Sequence, residues 1–250
     1  DWSSDVCSSD LVMHRGEVVE GESSSVEAVP FTRMAEFLRM LAHDVRNDLN
    51  AVDLLTAYIR DIAAEPGVRG ELDQLRTAIR YGSERMQRLA RAFQNPDPEK
   101  FPIPVQVLVE EFQSRVGQVY PDVAQRVRWQ KAPDEGILSA DVVLLSEVVC
   151  ELVENASAFS PSDAELVFRV ELAPQRVSFV VEQPLGNDPG DGEEWGRKPF
   201  VSARRGHYGL GLFRVRRLLE AQGASLVYVP EPFRGVLQSR VEFNWEEDGR

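Results

Sequence analysis

Apolar residues recur in four-three alternation along the segment 32–64. With Leu38 as the first heptad position, the seam reads Leu38, Leu41, Val45, Asp48, Val52, Leu55, Ile59 and Ile62, the spacing of a coiled-coil helix. Thr32, with Glu36 behind it, supplies an N-cap, and Glu65-Pro66-Gly67 stops the helix. A second heptad run, Leu72, Leu75, Ile79, Gly82, Met86, Leu89 and Phe93, predicts a helix over 68–93. Two such helices joined by a tight turn form an antiparallel hairpin with an uncovered apolar seam. A second copy should cover it, giving a dimeric four-helix bundle.

The stretch Asn95-Pro96-Asp97-Pro98-Glu99-Lys100-Phe101-Pro102 is a stiff linker. Beyond it the pattern turns to short strands and helices. Strands are expected near 103–106, 126–130, 165–172, 176–182, 225–229 and 237–244, with helices over 107–119, 140–159 and 210–222. Residues 186–206 form a loop dense in Gly, Pro and charge, too long for a mere connector. The fold class is therefore α+β. A leader occupies 1–30, polar and aperiodic from residue 12 on; a helical hairpin takes 31–95 and an α/β sandwich 102–245.

Charge and cysteine content narrow the function classes. The 250 residues carry a net charge of −13, which argues against nucleic acid as a partner. The first eleven residues resemble the translation of a sequencing adapter and are set aside from the fold. Without Asp1, Asp5 and Asp10 the charge is −10, and without Cys7 the one remaining cysteine is Cys150. A lone cysteine suits a reducing cytoplasm. No stretch is long and apolar enough to span a bilayer, so no membrane contact is expected from the portion present.

Three segments bear candidate chemistry. His43 falls on the helix face turned away from the seam, beside Asp44 and one turn before Asn47. Alone it reads first as a solvated surface histidine. Glu151 and Asn155 are four apart and share a helical face in Glu151-Leu152-Val153-Glu154-Asn155-Ala156. Asn155 could otherwise cap or solvate a helix end. In Gly206-His207-Tyr208-Gly209-Leu210-Gly211-Leu212, the glycines let backbone approach a phosphate closely, and a helix N-terminus follows.

In this order and spacing the three segments resemble the sensor histidine kinases: a phosphoacceptor hairpin followed by a Bergerat-type ATP-binding domain. The resemblance covers 34–243. It implies ATP and Mg²⁺ as cofactors, with Asn155 as the metal ligand and Glu151 as a carboxylate behind it or polarising a water. It implies that His43 attacks the γ-phosphoryl group, that Asp44 orients the ring or takes its proton, and that Asn47 positions a water for dephosphorylating a partner. The phosphoryl group would pass to an aspartate of a response-regulator receiver domain.

The resemblance further implies that the long loop is an ATP lid. Phe200 matches the family's lid phenylalanine; Gly206, Gly209, Leu210 and Gly211 lie at the phosphates. Arg197, Lys198, Arg204 and Arg205 are candidate phosphate partners or simply solvated charge. The chain departs from the family pattern at Asp48, where proline is usual, and at Ala158, where lysine is common. The adenine-reading Asp-x-Gly-x-Gly stands as Glu182-Gln183-Pro184-Leu185-Gly186. Glu182 keeps a carboxylate, while Pro184 fixes φ and removes a donor. Two further readings follow: a phosphotransfer protein of the same architecture that works without ATP, and a serine kinase or ATPase of the wider superfamily.

Overall fold

The computed structural model describes residues 30–63, 65–185, 192, 194–202 and 208–244. The adapter-like segment and the leader up to residue 29 lie outside them. Helix α1 (Phe31–Ile62) and helix α2 (Pro66–Phe93) form the antiparallel hairpin. Helix α1 is already helical at Phe31 and has Pro30 as its N-cap, with no side-chain cap bond, so Thr32 does not cap it. Proline has no side-chain acceptor, so the first-turn amides of α1 are left to solvent.

The face of α1 packed on α2 coincides only in part with the expected heptad seam. Ala42 and Thr56 are buried and Val45 and Leu49 half-buried on the side facing α2. Leu41, Val52, Leu55, Ile59 and Ile62 are exposed. Asp48 is exposed with them, so its carboxylate meets no desolvation in this chain. The hairpin's own seam is partly polar: Asp53 accepts from Arg76 at 2.9 Å, and Arg60 pairs with Asp73 at 2.7 Å.

Past the linker come β1 (Phe101–Pro104), α3 (Val105–Val119), the short α4 (Pro121–Ala124), β2 (Val127–Trp129) and β3 (Ile137–Ala140). Then follow α5 (Val142–Ala158), β4 (Leu166–Ala173), β5 (Arg176–Pro184), α6 (Gly211–Gln222), β6 (Ala224–Glu231) and β7 (Val236–Asn244). Five strands form one sheet in the order β2-β4-β5-β7-β6, parallel only between β2 and β4. The strands β1 and β3 form a separate antiparallel pair.

Helices α3, α5 and α6 cover one face of the sheet. Phe112, Leu145, Leu152, Leu218, Phe168, Phe179 and Val181 are all essentially buried in that core. Asp141 ties the frame together. Its Oδ1 accepts from the Val143 and Leu144 amides at 2.9 and 3.0 Å, capping α5. Its Oδ2 accepts from the linker amide of Glu99, and its own N–H donates to Gln222 at the end of α6. Both helices that frame the cleft are thus fixed to the segment leaving the hairpin. No described helix is long and apolar enough to cross a membrane.

Candidate functional site

His43 stands outward from α1 with 59% of its side chain exposed. Its Nδ1 lies 3.2 Å from Asp44 Oδ1 and 3.4 Å from the Asn47 amide. A ring N–H at Nδ1 donates to the carboxylate, which leaves Nε2 with its lone pair directed outward. Turning the Asn47 amide by 180° lets its oxygen accept from the same N–H, so both neighbours favour one tautomer.

The second group of residues lies where α5 meets the start of α6, and this junction is called the cleft below. Asn155 is half-buried near the end of α5, and its side chain makes no hydrogen bond among the described residues. Glu151, one turn earlier, faces the first residue of α6: a Cβ on Gly211 would collide with its carboxylate. Burial pushes the Glu151 carboxyl up to about 7, with Glu154 and Glu147 adding to the effect and Arg88 of α2 opposing it. Tyr120 feels the same pair of carboxylates; burial, Glu151 and Glu154 together push its phenol up to about 12.

Phe200 and Gly209 belong to the long loop that leads into α6. Phe200 has a φ of +66° and Gly209 a φ of +60°, left-handed values that cost a phenylalanine more than a glycine. No side chain fits at Gly209, because a Cβ there would meet the backbone carbonyl of Val201. Leu210 is buried next to Ala92, Phe93 and Phe213. Gly186, Gly206, Arg204 and Arg205 lie outside the described residues. Arg197 is exposed with Glu194 3.9 Å away, and Lys198 is exposed.

The cleft is docked on the hairpin through an aromatic cluster. Phe93 at the end of α2 lies 5.7 Å from Phe200, 5.9 Å from Phe213 and 6.0 Å from Phe31 between ring centroids. Arg217 of α6 donates to the Ala92 carbonyl at 3.0 Å and to Asn95, while Arg214 donates to the Gln94 carbonyl at 2.9 Å. These cations complete the open carbonyls at the end of α2, where the helix dipole favours positive charge.

Glu182 does not sit in the cleft. Strand side chains alternate, and Val177, Phe179 and Val181 of β5 point into the helix-covered core. Glu182 has the opposite parity. On the outer face of the sheet its carboxylate accepts from Arg169 at 2.8 Å, Arg234 at 3.0 Å and Gln238 at 3.2 Å. It is therefore not available as an acceptor in the cleft. Gln183 shares the inner face with Val181, is 6% exposed, and makes no side-chain hydrogen bond among the described residues.

No protein-family model matches the chain, and no curated protein is similar to it in sequence. Solved structures do match. Full-length ShkA in complex with AMPPNP superposes with a TM-score of 0.66 at 19% identity, over 83% of this chain and 45% of that one. The histidine kinase AdeS of Acinetobacter baumannii superposes with a TM-score of 0.52 at 15% identity, over 80% of this chain and 95% of that one. The fold is that of the histidine kinases. This chain spans less than half the length of ShkA, and at these identities the histidine-kinase likeness concerns the fold: a helical hairpin followed by the α/β sandwich.

Gln183 and the aromatic cluster around Phe93 are not among the residues that the sequence motifs single out. Strand parity was a usable signal for Gln183. Nothing local marks Arg88 or Phe93, whose surroundings come from distant segments.

Proposed function

We propose that this chain is the transmitter part of a two-component histidine kinase, which phosphorylates His43 from ATP and passes the phosphoryl group to a receiver-domain aspartate. The observation that carries the proposal is His43 itself. Its Nδ1 is engaged by Asp44 and its Nε2 is open, on the same hairpin against which the α5–α6 cleft is docked. Nε2 attacks the γ-phosphorus, the bond to the β,γ-bridging oxygen breaks, and ADP leaves with that electron pair. The Nδ1 proton passes to Asp44 or to water. Asn47 would hold a water in line for the reverse task, hydrolysis of a receiver's acyl phosphate.

The cleft offers what a nucleoside triphosphate needs. The N-terminus of α6 begins at Gly211, where the missing side chain lets phosphate approach backbone N–H groups. Gln183, not Glu182, faces the base end; its amide can both accept from an adenine amino group and donate to a ring nitrogen. The oxygen of Asn155 fits a hard cation such as Mg²⁺, with remaining positions left to phosphate and water. A Mg²⁺ held by Asn155 would neutralise phosphate charge. ShkA was captured with AMPPNP, which supports ATP as the ligand.

The exposed stripe of Leu41, Val52, Leu55, Ile59 and Ile62 on α1, with Leu75 on α2, favours a second copy of the hairpin as the dimer partner. Calorimetric titration with Mg²⁺ and AMPPNP tests the nucleotide half of the proposal. Saturable binding is expected, weakened about tenfold or more in Asn155→Ala. Absent binding, together with His43 accepting phosphate from a phosphorylated receiver, would replace the kinase by an ATP-independent phosphotransfer protein.

A further inference from the structure

We propose that Arg88 is a catalytic cation supplied by the hairpin, meeting the γ-phosphoryl group as it passes from the nucleotide to His43. The inference rests on the kinase reading above and concerns a residue of α2, outside the nucleotide cleft.

Axial position comes first. Along the hairpin Leu49 lies over Gly82, Asp53 pairs with Arg76, and Arg60 pairs with Asp73. Antiparallel helices rise equally per residue, so this register carried toward the open end sets Arg88 level with His43 to within about one turn. Facing comes next. Ala92 is 1% exposed because Leu210 and Phe213 of the catalytic region cover it. Arg88 stands one turn before Ala92 on the same stripe, about 6 Å along the axis. It therefore lies at the level of the phosphoacceptor, one turn from the contact with the start of α6, where phosphates are expected.

Electrostatic need completes the argument. The cleft side of α5 carries Glu147, Glu151 and Glu154 and no basic residue. The arginines of α6 are committed: Arg214 to Glu147 and Gln94, Arg217 to Ala92 and Asn95, Arg216 to the Trp195 and Leu226 carbonyls. Arg88 is exposed and makes no ion pair or hydrogen bond among the described residues, yet its charge reaches Glu151. An exposed guanidinium whose charge reaches these carboxylates, level with the nucleophile, suits a phosphoryl group whose charge spreads over three oxygens.

The test is the initial rate of His43 labelling by radioactive ATP in Arg88→Ala, Arg88→Lys and the control Arg85→Ala. Arg85 is likewise exposed, about one turn further from Ala92. For Arg88→Ala a fall of about 10- to 100-fold in kcat is expected, with KM and AMPPNP affinity within about twofold of wild type. Lysine should recover part of the rate, and Arg85→Ala should keep it. An unchanged rate in Arg88→Ala, or an equal loss in Arg85→Ala, would overturn the assignment. So would a loss that follows AMPPNP affinity, which would make Arg88 a binding group for ground-state nucleotide. Failure of the wild-type chain to label would instead overturn the kinase reading, and the assignment with it.

Discussion

Truncating Glu182 to alanine is expected to lower the melting temperature by about 5–12 °C, while leaving the nucleotide cleft intact. Glu182 is 7% exposed, and its two oxygens accept from Arg169, Arg234 and Gln238. Removing one partner of a buried, hydrogen-bonded ion pair leaves the other charge unsatisfied, which costs about 3–5 kcal/mol. Arg169 retains Glu171 at 3.0 Å and Gln238 retains Glu231, so about 2–4 kcal/mol is the expected loss. A chain of this size loses about 2–4 °C per kcal/mol. The milder Glu182→Gln should unfold at an intermediate temperature and bind AMPPNP within about twofold of wild type. Native stability combined with a tenfold loss of AMPPNP affinity in Glu182→Gln would show that Glu182 reads the base after all.

Glu151→Gln is expected to stabilise the protein at pH 8 and much less at pH 5. Burial raises the Glu151 carboxyl to about 7 from an ordinary value of 4.5. A carboxyl raised on folding binds its proton more tightly in the native state, so its ionisation opposes the fold. The penalty is absent below about pH 4.5, grows as pH rises, and is complete above about pH 7. At full strength it is about 3 kcal/mol at most, and solvent around a half-buried residue reduces it to about 1–3 kcal/mol. Glutamine keeps the shape without the charge. Melts at the two pH values should differ by about 3–8 °C in the gain the substitution brings. Equal gains at both would show that Glu151 is not held as described.

The hairpin was legible because heptads are a strong periodic signal. The sequence reading nevertheless gathered every apolar heptad residue into one seam. A helix in a four-helix bundle has two neighbours, and a single chain supplies only one of them: Ala42 and Thr56 face α2, while Leu55 and Ile62 face outward. The strands β4, β5 and β7 alternate clearly, whereas β3 and α4 are four residues each and passed unnoticed. Elements that short have no period; they exist because β1 pairs with β3 and α4 packs at the end of α3.

The candidate site shows the same division. Asn155 and Glu151 share a helical face by spacing alone, and Gly211 stands where a close approach needs it. Motif resemblance points to Glu182 as the adenine-reading residue, whereas the period-two parity of β5 turns Glu182 outward and Gln183 inward. Val177, Phe179 and Val181 had already fixed which neighbour faced inward. The meeting of Phe31, Phe93, Phe200 and Phe213 joins three distant segments and leaves no local trace in the chain.

Incubation of the chain with γ-labelled ATP and Mg²⁺ tests the central claim most directly. Label should appear on His43, in a bond labile to acid and stable to base, and His43→Gln should carry none. A wild-type chain that stays unlabelled with either Mg²⁺ or Mn²⁺, or a His43→Gln variant labelled as strongly as wild type, would contradict the assignment of His43 as the phosphoacceptor of an ATP-dependent kinase.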